Sequence, residues 1–204
     1  MASGWTAPAG TAGLIFDCDG TLADTMPVHL LAWRAMLADR GMRFTADRFY
    51  GLAGVPSAGI IRILAAEQGA VVSDADVAAM VTDKEDRYLD MLEDDPSVVR
   101  PIRSVLAVAE THRGRLPIAV ASGGEHRIIH ATLGAIDALL WFDAIVGYED
   151  TARHKPEPDV FLEAASRLGV EATRCVVFED GGPGIEAAAR AGMACIDVRL
   201  PPWQ

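Results

Sequence analysis

Leu14-Ile15-Phe16-Asp17-Cys18-Asp19-Gly20-Thr21-Leu22 is the stretch on which the reading of this chain turns. A short apolar run stops at two carboxylates spaced i and i+2, and Gly-Thr follows. The run has no polar alternation and is too short for a helix, so it reads as a buried strand of a parallel sheet. Asp17 and Asp19 then lie at the carboxyl end of that strand, where open α/β sheets bind their ligands. Alternate strand residues point the same way, and a bend at Gly20 lets both acids converge on one ligand. An acidic strand-to-loop cap without chemistry is the alternative, and this stretch by itself leaves it open.

Outward from that strand, the grammar of the chain comes in two kinds. From Met26-Pro27 onward, Val28, Leu31, Ala32, Ala35 and Met36 recur at helical spacing, with Pro27 in the first turn and Gly41 as the stop. Ser57 to Gln68 repeats the pattern and ends at Gly69. Ser73 to about Leu92 places Val77, Met80, Val81 and Tyr88 on one face, and Asp74 and Asp76 suit its N-terminus. No strand pattern occurs between Asp24 and Asp94. From Pro96 on, helices alternate with apolar strands: Ile102 to Ala109 (helix), Pro117 to Ser122 (strand), Ile128 to Leu133 (helix), Phe142 to Val146 (strand). Pro158 to Leu168 (helix), Cys175 to Phe178 (strand), Ile185 to Ala191 (helix) and Ala194 to Val198 (strand) complete the series. Such alternation predicts an α/β, doubly wound, Rossmann-like parallel sheet. The all-helical block is expected as an inserted cap, with residues 24–94 forming it and residues 1–23 and 95–204 forming the catalytic core. Residues 1 to 11 read as a loose lead-in.

The bulk numbers narrow the functional classes. The 204 residues suffice for one sizeable core, or a core with a small insertion. Half are apolar and 23% charged, so the chain is globular and not disordered. The net charge of −11 argues against a nucleic-acid surface and against adhesion to anionic membranes. Cys18, Cys175 and Cys195 are scattered, with no Cys-x-x-Cys, which suits reduced thiols in a cytoplasmic protein. Acidic neighbours disfavour a Cys18 thiolate, so it does not read as a nucleophile. The first sixteen residues lack Lys and Arg, so no secretory leader is expected. No apolar run approaches the roughly 18 residues of a membrane span. A monomer acting on a small molecule is the expectation.

Three strands end in polar residues of one kind: Asp17 and Asp19, then Ser122, then Glu179 and Asp180. Lys155 follows in His154-Lys155-Pro156-Glu157-Pro158. Carboxyl ends of parallel strands share one edge, so these groups can converge. Singly, Ser122 reads equally as a helix cap, Lys155 as a solvated loop residue and Glu179-Asp180 as a turn. Together, several carboxylates with one lysine call for a cation, and all-oxygen ligation suits Mg²⁺. No His/Cys cluster offers a zinc site. Ser122 with the amides of Gly123 and Gly124 would make a phosphate seat. A carboxylate approaching a phosphate meets repulsion of about 4 kcal/mol per charge pair at 4 Å and an effective dielectric near 20. Mg²⁺ and Lys155 would offset it.

Asp17-Cys18-Asp19-Gly20-Thr21-Leu22, Ser122, Lys155-Pro156 and Glu179-Asp180 resemble the four motifs of the haloacid-dehalogenase-like hydrolase superfamily. The resemblance runs from about residue 13 to 198 and is nearest to the β-phosphoglucomutase-like branch with a helical cap, particularly its sugar-phosphate phosphatases. It implies Asp17 as the nucleophile forming an aspartyl-phosphate. It implies Asp19 as the general acid and then base, and Ser122, Gly123 and Lys155 as the phosphate holders. It implies Mg²⁺ on Asp17, the Asp19 carbonyl and Asp180, with Glu179 a ligand or a neighbour of one. Gly181-Gly182-Pro183-Gly184 departs from the Ser that many relatives carry after the last acids.

Substrate choice rests with the cap. His29 and Lys84 resemble cap-side substrate contacts of the mutase branch, and both also read as surface residues of amphipathic helices. Where the mutases carry Ser-Arg after Gly54-Val55, with the arginine gripping a distal phosphate, this chain has Pro56-Ser57. Neither residue can replace the guanidinium fork, although Arg62 or Arg87 could supply charge from elsewhere. A mutase holds a bisphosphate intermediate at both ends, so a sugar-phosphate phosphatase is the first expectation, a phosphomutase the second, and a silent phosphate-binding protein the third.

Overall fold

The computed structural model describes residues 5–52, 54–201 and 203. They fall into two compact units, one of residues 1–25 with 99–204 and one of residues 26–98.

The first unit is built on a five-stranded sheet whose neighbours all pair parallel, in the order β5-β4-β1-β6-β7. The strands are β1 (Gly13–Phe16), β4 (Ile118–Ala121), β5 (Ala144–Val146), β6 (Cys175–Glu179) and β7 (Ala194–Asp197). The helices α5 (Arg103–His112), α6 (His126–Ala135), α7 (Asp159–Leu168) and α8 (Gly182–Arg190) connect them. β1, β4 and β6 are buried along their whole length, which explains their unbroken apolar sequences. Ile15 and Val177 share a core with Phe161 and Ala164 of α7 and Ala187 and Ala188 of α8. The opposite face stacks Phe16 on its register partner Phe178, with ring centroids 4.8 Å apart.

Trp5 meets Phe178 edge-on at 5.1 Å and lies 5.6 Å from His112 and 6.5 Å from Trp203. The lead-in is therefore not loose throughout. Its indole is docked on the aromatic face of β6, although residues 1–4 lie outside the description.

A second, two-stranded antiparallel sheet pairs β2 (Ala23–Asp24) with β3 (Arg100–Pro101). It joins the chain where it leaves and re-enters the first unit. The boundaries therefore fall at 25/26 and 98/99, against the expected 23/24 and 94/95. The ladder hydrogen bonds keep Asp24 and Arg100 with the sheet unit, and segments of two residues carry no periodicity to announce them.

The second unit is all helix among the described residues: α1 (Met26–Ala38), α2 (Ala46–Gly51), α3 (Ser57–Glu67) and α4 (Asp74–Asp94). Trp33, Met36, Leu37, Phe44, Phe49, Ile61, Leu64 and Met80 form its own apolar core. The short α2 had no counterpart in the sequence reading. Thr45 starts it by accepting a hydrogen bond from the Arg48 amide at 3.3 Å. No helix of the described residues is long and apolar enough to cross a membrane.

Candidate active site

Parallel pairing of β4, β1 and β6 puts Ser122, Asp17 and Glu179 side by side at the carboxyl edge of the sheet. The Asp17 amide still belongs to that edge, donating to the Phe178 carbonyl at 3.0 Å. The Ser122 amide likewise donates to the Val146 carbonyl at 3.0 Å. Asp17, Ser122 and Glu179 are buried, at 6%, 2% and 3% exposure.

Lys155 reaches this edge from the loop before α7. Its ammonium donates to Asp17 Oδ1 at 2.7 Å, to Glu179 Oε1 at 2.8 Å and to the Ala121 carbonyl at 3.2 Å. Burial alone would depress the ammonium, but the carboxylates of Asp17 and Glu179 outweigh it and hold its pKa above the usual lysine value. Lys155 is thus a buried, ion-paired group and not a solvated loop residue.

The four acids are held in different ways. Asp19 Oδ1 accepts from the Thr25 hydroxyl at 2.7 Å. Asp180 Oδ1 accepts from the Thr21 hydroxyl at 3.3 Å. Glu179 has both oxygens engaged, one by Lys155 and the other by the Gly181 amide. Asp17 shares Lys155. Burial pushes the Asp17 carboxyl well above the usual range; Lys155 opposes this, while Glu179, Asp180 and Asp19 add to it. Burial, followed by the charge of Glu179, raises Asp180 to about 6 against the Thr21 hydrogen bond and Lys155.

Two glycines make room for this crowding. A Cβ on Gly20, where φ is +82°, would lie 2.2 Å from Asp180 Oδ2. One on Gly184 would lie 1.6 Å from Glu179 Oε1. Gly181 and the first turn of α8, Gly182-Pro183-Gly184, therefore pack closely on Glu179, with Gly181 supplying a donor where a serine was the pattern.

Carboxylate oxygens of Asp17, Glu179 and Asp180 lie within 4.8 Å of one another. The donors are all hard oxygens, carry more negative charge than Lys155 balances, and sit in a buried place where that excess is costly. Such a set can hold a hard divalent cation. The Asp19 carboxylate lies outside the cluster, as it would if that residue contributed its backbone.

The phosphate loop differs in detail from expectation. The Gly124 amide donates to Ser122 Oγ at 3.1 Å and is not directed outward. Helix α6 begins only at His126, whose amide donates to both oxygens of Glu149 at 3.1 Å. A carboxylate thus already caps the helix on which a phosphate was expected, leaving Ser122, Gly123 and Lys155 as the candidate seat.

In the helical unit, Lys84 is not a surface residue. It is 6% exposed and lies over the rings of Trp33 and Tyr88, at 5.7 and 6.0 Å. His29 stacks on Tyr88, with centroids 4.2 Å apart. The two arginines that could have replaced a phosphate clamp are engaged locally: Arg62 with Asp74 at 2.6 Å, and Arg87 with Asp39 and Asp83, each at 2.6 Å. Sequence reasoning missed Thr25 and Glu149. For Thr25 a signal existed, a hydroxyl just past an acidic turn; for Glu149 there was none, because its partner is a distant backbone amide.

Residues 11–192 match the family model of the haloacid dehalogenase-like hydrolases. The fructose-1-phosphate phosphatase YqaB of Escherichia coli (strain K12) is 41% identical over 189 residues, covering 93% of this chain and 97% of that protein. The phosphorylated carbohydrates phosphatase of Thermotoga maritima is 30% identical over 181 residues, covering 88% of this chain and 81% of that protein. Among solved structures, CbbY of Rhodobacter sphaeroides in complex with xylulose-(1,5)bisphosphate shares the fold, with a TM-score of 0.82 at 24% identity over 92% of this chain and 85% of that one. With the four motifs at one sheet edge and a family match over nearly the whole sequence, this chain belongs to the haloacid dehalogenase-like hydrolases.

Proposed function

We propose that this protein is a Mg²⁺-dependent phosphatase that hydrolyses a small sugar-phosphate monoester through an aspartyl-phosphate. The observation that carries the reading is Lys155 bridging Asp17 and Glu179 at 2.7 and 2.8 Å among buried acids. The phosphatase relatives, both named for phosphorylated carbohydrates, support the substrate class.

Asp17 is the nucleophile: its carboxylate attacks phosphorus, and the bond to the sugar oxygen breaks. Burial works against its ionisation, and the ammonium of Lys155 favours the anionic form while also facing the phosphate oxygens. Asp19 donates a proton to the departing alcohol. It then removes one from the water that cleaves the acyl-phosphate, returning Asp17 as carboxylate and releasing inorganic phosphate. Thr25 orients Asp19 for both transfers. Ser122 and the Gly123 amide hold phosphate oxygens, and Glu179 anchors Lys155. Mg²⁺ on Asp17, Asp180 and the Asp19 carbonyl would supply positive charge to the phosphoryl group.

His29 and Lys84 are proposed as cap-side substrate contacts. The engagement of Arg62 and Arg87 and Pro56 at the start of α3 favour hydrolysis over a mutase reaction, since neither of these two arginines is held in reserve for a second phosphate. Phosphate release across hexose, pentose and polyol phosphates, with and without chelator, tests the reading. Metal-dependent release from at least one sugar phosphate, abolished by Asp17→Asn, is the expected result. Undiminished release after Asp17→Asn, or none from any compound, overturns it.

A further inference from the structure

The phosphate seat is assembled from two loops that lie far apart in sequence. One is Ser122-Gly123-Gly124 after β4, and the other carries Lys155 ahead of α7. Ser122 and Lys155 can grip one phosphoryl group only while these loops keep their distance from each other. Lys155 belongs to no strand, so no ladder bond fixes its backbone. Its ammonium, already bonded to Asp17, Glu179 and the Ala121 carbonyl, has a phosphate to serve as well.

Tyr148, in the turn after β5, touches both loops. Its amide donates to the Gly124 carbonyl at 2.8 Å. The Gly124 amide in turn donates to Ser122 Oγ at 3.1 Å. That oxygen is thus an acceptor towards its own loop, and the hydroxyl proton is left for a phosphate. On the other side, the Tyr148 ring lies flat on the ring of His154, with centroids 3.9 Å and planes 17° apart. His154 opens the turn that presents Lys155, for its carbonyl accepts from the Glu157 amide at 2.9 Å with Lys155 and Pro156 between them. One residue therefore holds the serine loop by its backbone and the lysine loop by its ring.

The ring is not part of the core, because Tyr148 is 44% exposed. Asp150 holds the turn independently of it, accepting from the Gly147 amide at 2.7 Å and from Arg167 at 2.6 Å. The stack can be removed while the turn and its bond to Gly124 stay in place.

We propose that Tyr148 is a positioning residue, which through the ring of His154 keeps Lys155 in register with the Ser122–Gly124 loop and so sets how tightly the seat holds a phosphoryl group. The proposal rests on the phosphatase reading, which makes Ser122, Gly123 and Lys155 the phosphate holders, and deepens it. A stacked aromatic pair is strong enough to shift a binding equilibrium about five- to tenfold.

The test measures inorganic phosphate binding by isothermal titration calorimetry, and kcat and KM for fructose 1-phosphate, both with Mg²⁺ present. It compares the wild type, Tyr148→Ala, Tyr148→Phe, His154→Ala and the double variant of the two alanines. Tyr148→Ala should raise the phosphate Kd and the KM together by about five- to tenfold, with kcat changed less. Tyr148→Phe keeps the ring and should stay within about twofold of wild type in both. His154→Ala should match Tyr148→Ala, and the double variant should be no worse than either, because all three remove the same contact. If Tyr148→Ala fails to fold, His154→Ala carries the same expectation. Wild-type phosphate affinity in the alanine variants, an equal loss in Tyr148→Phe, or single losses that multiply in the double variant overturns the proposal. Where a sugar phosphate is hydrolysed and phosphate affinity does not respond, the phosphatase reading stands and Tyr148 alone loses its role. Where phosphate affinity responds as expected and no sugar phosphate is hydrolysed, the phosphatase reading falls and the positioning role survives it. Where phosphate neither binds nor is released, both fall.

Discussion

The carboxyl edge of the sheet and the surface of the helical unit are both rich in acids, and they treat them in opposite ways. On the helices several acids are matched with arginines near the surface: Asp83 with Arg40 at 2.8 Å, Asp74 with Arg62, Asp39 and Asp83 with Arg87, and Glu67 with Arg48. Solvent screens such pairs, and each contributes little. At the sheet edge Asp17 and Glu179 are buried against one Lys155, with Asp19 and Asp180 beside them. That surplus costs stability and is held in place by backbone geometry and short hydrogen bonds. An unbalanced buried cluster marks the place where the fold serves chemistry.

The sharpest way to break the contrast is to remove the central acid. Asp17→Asn is expected to lower phosphate release by at least about a thousandfold, because the nucleophile is gone and the remaining groups cannot replace it. The surplus of charge also falls, so the thermal unfolding midpoint should stay level or rise. Phosphate release and differential scanning calorimetry on one preparation check both halves. A large fall in the midpoint would mean that Asp17 is part of the structural framework.

Gly184→Ala tests whether geometry, and not charge alone, sustains the edge. The new methyl would lie 1.6 Å from Glu179 Oε1, so the Glu179 side chain must leave Lys155. A loss of about a hundredfold in kcat is expected, since misplacing a group by an ångström already costs that much. Gly134→Ala on α6 is the matched control. Nothing lies within 4 Å of its Cβ, so a gain of about 0.5–1 kcal/mol in urea unfolding is expected from helix propensity alone, with activity unchanged.

Thr25→Val keeps the shape of the buried Thr25 and removes the hydroxyl that donates to Asp19 at 2.7 Å. An Asp19 without the Thr25 donor is less often aligned for proton transfer, and kcat should fall about tenfold with KM little changed. Thr25→Ser, which restores the donor, should recover most of the rate. A rise in KM alone would assign Thr25 to substrate binding instead.

What could be read in advance follows the same division. Strands buried on both faces declare themselves as apolar runs, and amphipathic helices repeat their pattern over several turns, so the sheet, its helices and the helical insertion were legible. The motif acids and Lys155 were legible because strand ends and a lysine-proline loop mark them in the sequence. Glu149 on the His126 amide and Trp5 on Phe178 were not, while Thr25 on Asp19 left only the signal of a hydroxyl just past an acidic turn. The Glu149 and Trp5 contacts join residues whose neighbourhood is made by topology, and periodicity carries no trace of it. The ribbon of Ala23–Asp24 with Arg100–Pro101 and the short α2 escaped for a plainer reason: two or six residues give no repeat to count.

The smallest expected effect belongs to the helical unit and shows what an ordinary use of acids looks like. Ser73 and Asp76 close a capping box at the start of α4: Ser73 Oγ accepts from the Asp76 amide at 3.2 Å, and Asp76 Oδ2 accepts from the Ser73 amide at 2.9 Å. Ser73→Ala leaves one end of α4 without its side-chain acceptor, and a loss of about 1 kcal/mol in urea unfolding near neutral pH is expected. The Ser73 hydroxyl and amide bonds hold the Asp76 carboxyl below the usual range. A carboxyl depressed in the folded state adds stability that is present above its unfolded pKa and fades as pH falls through the folded value. The gap between wild type and Ser73→Ala should therefore be widest near neutrality and narrow in acid, while kcat at neutral pH stays the same. A gap that persists unchanged in acid would trace the loss to the Ser73 acceptor alone. A fall in kcat would show that α4 must be held at this end for the sheet edge to work, and would remove the clean division between an acid that supports a helix and an acid that performs the reaction.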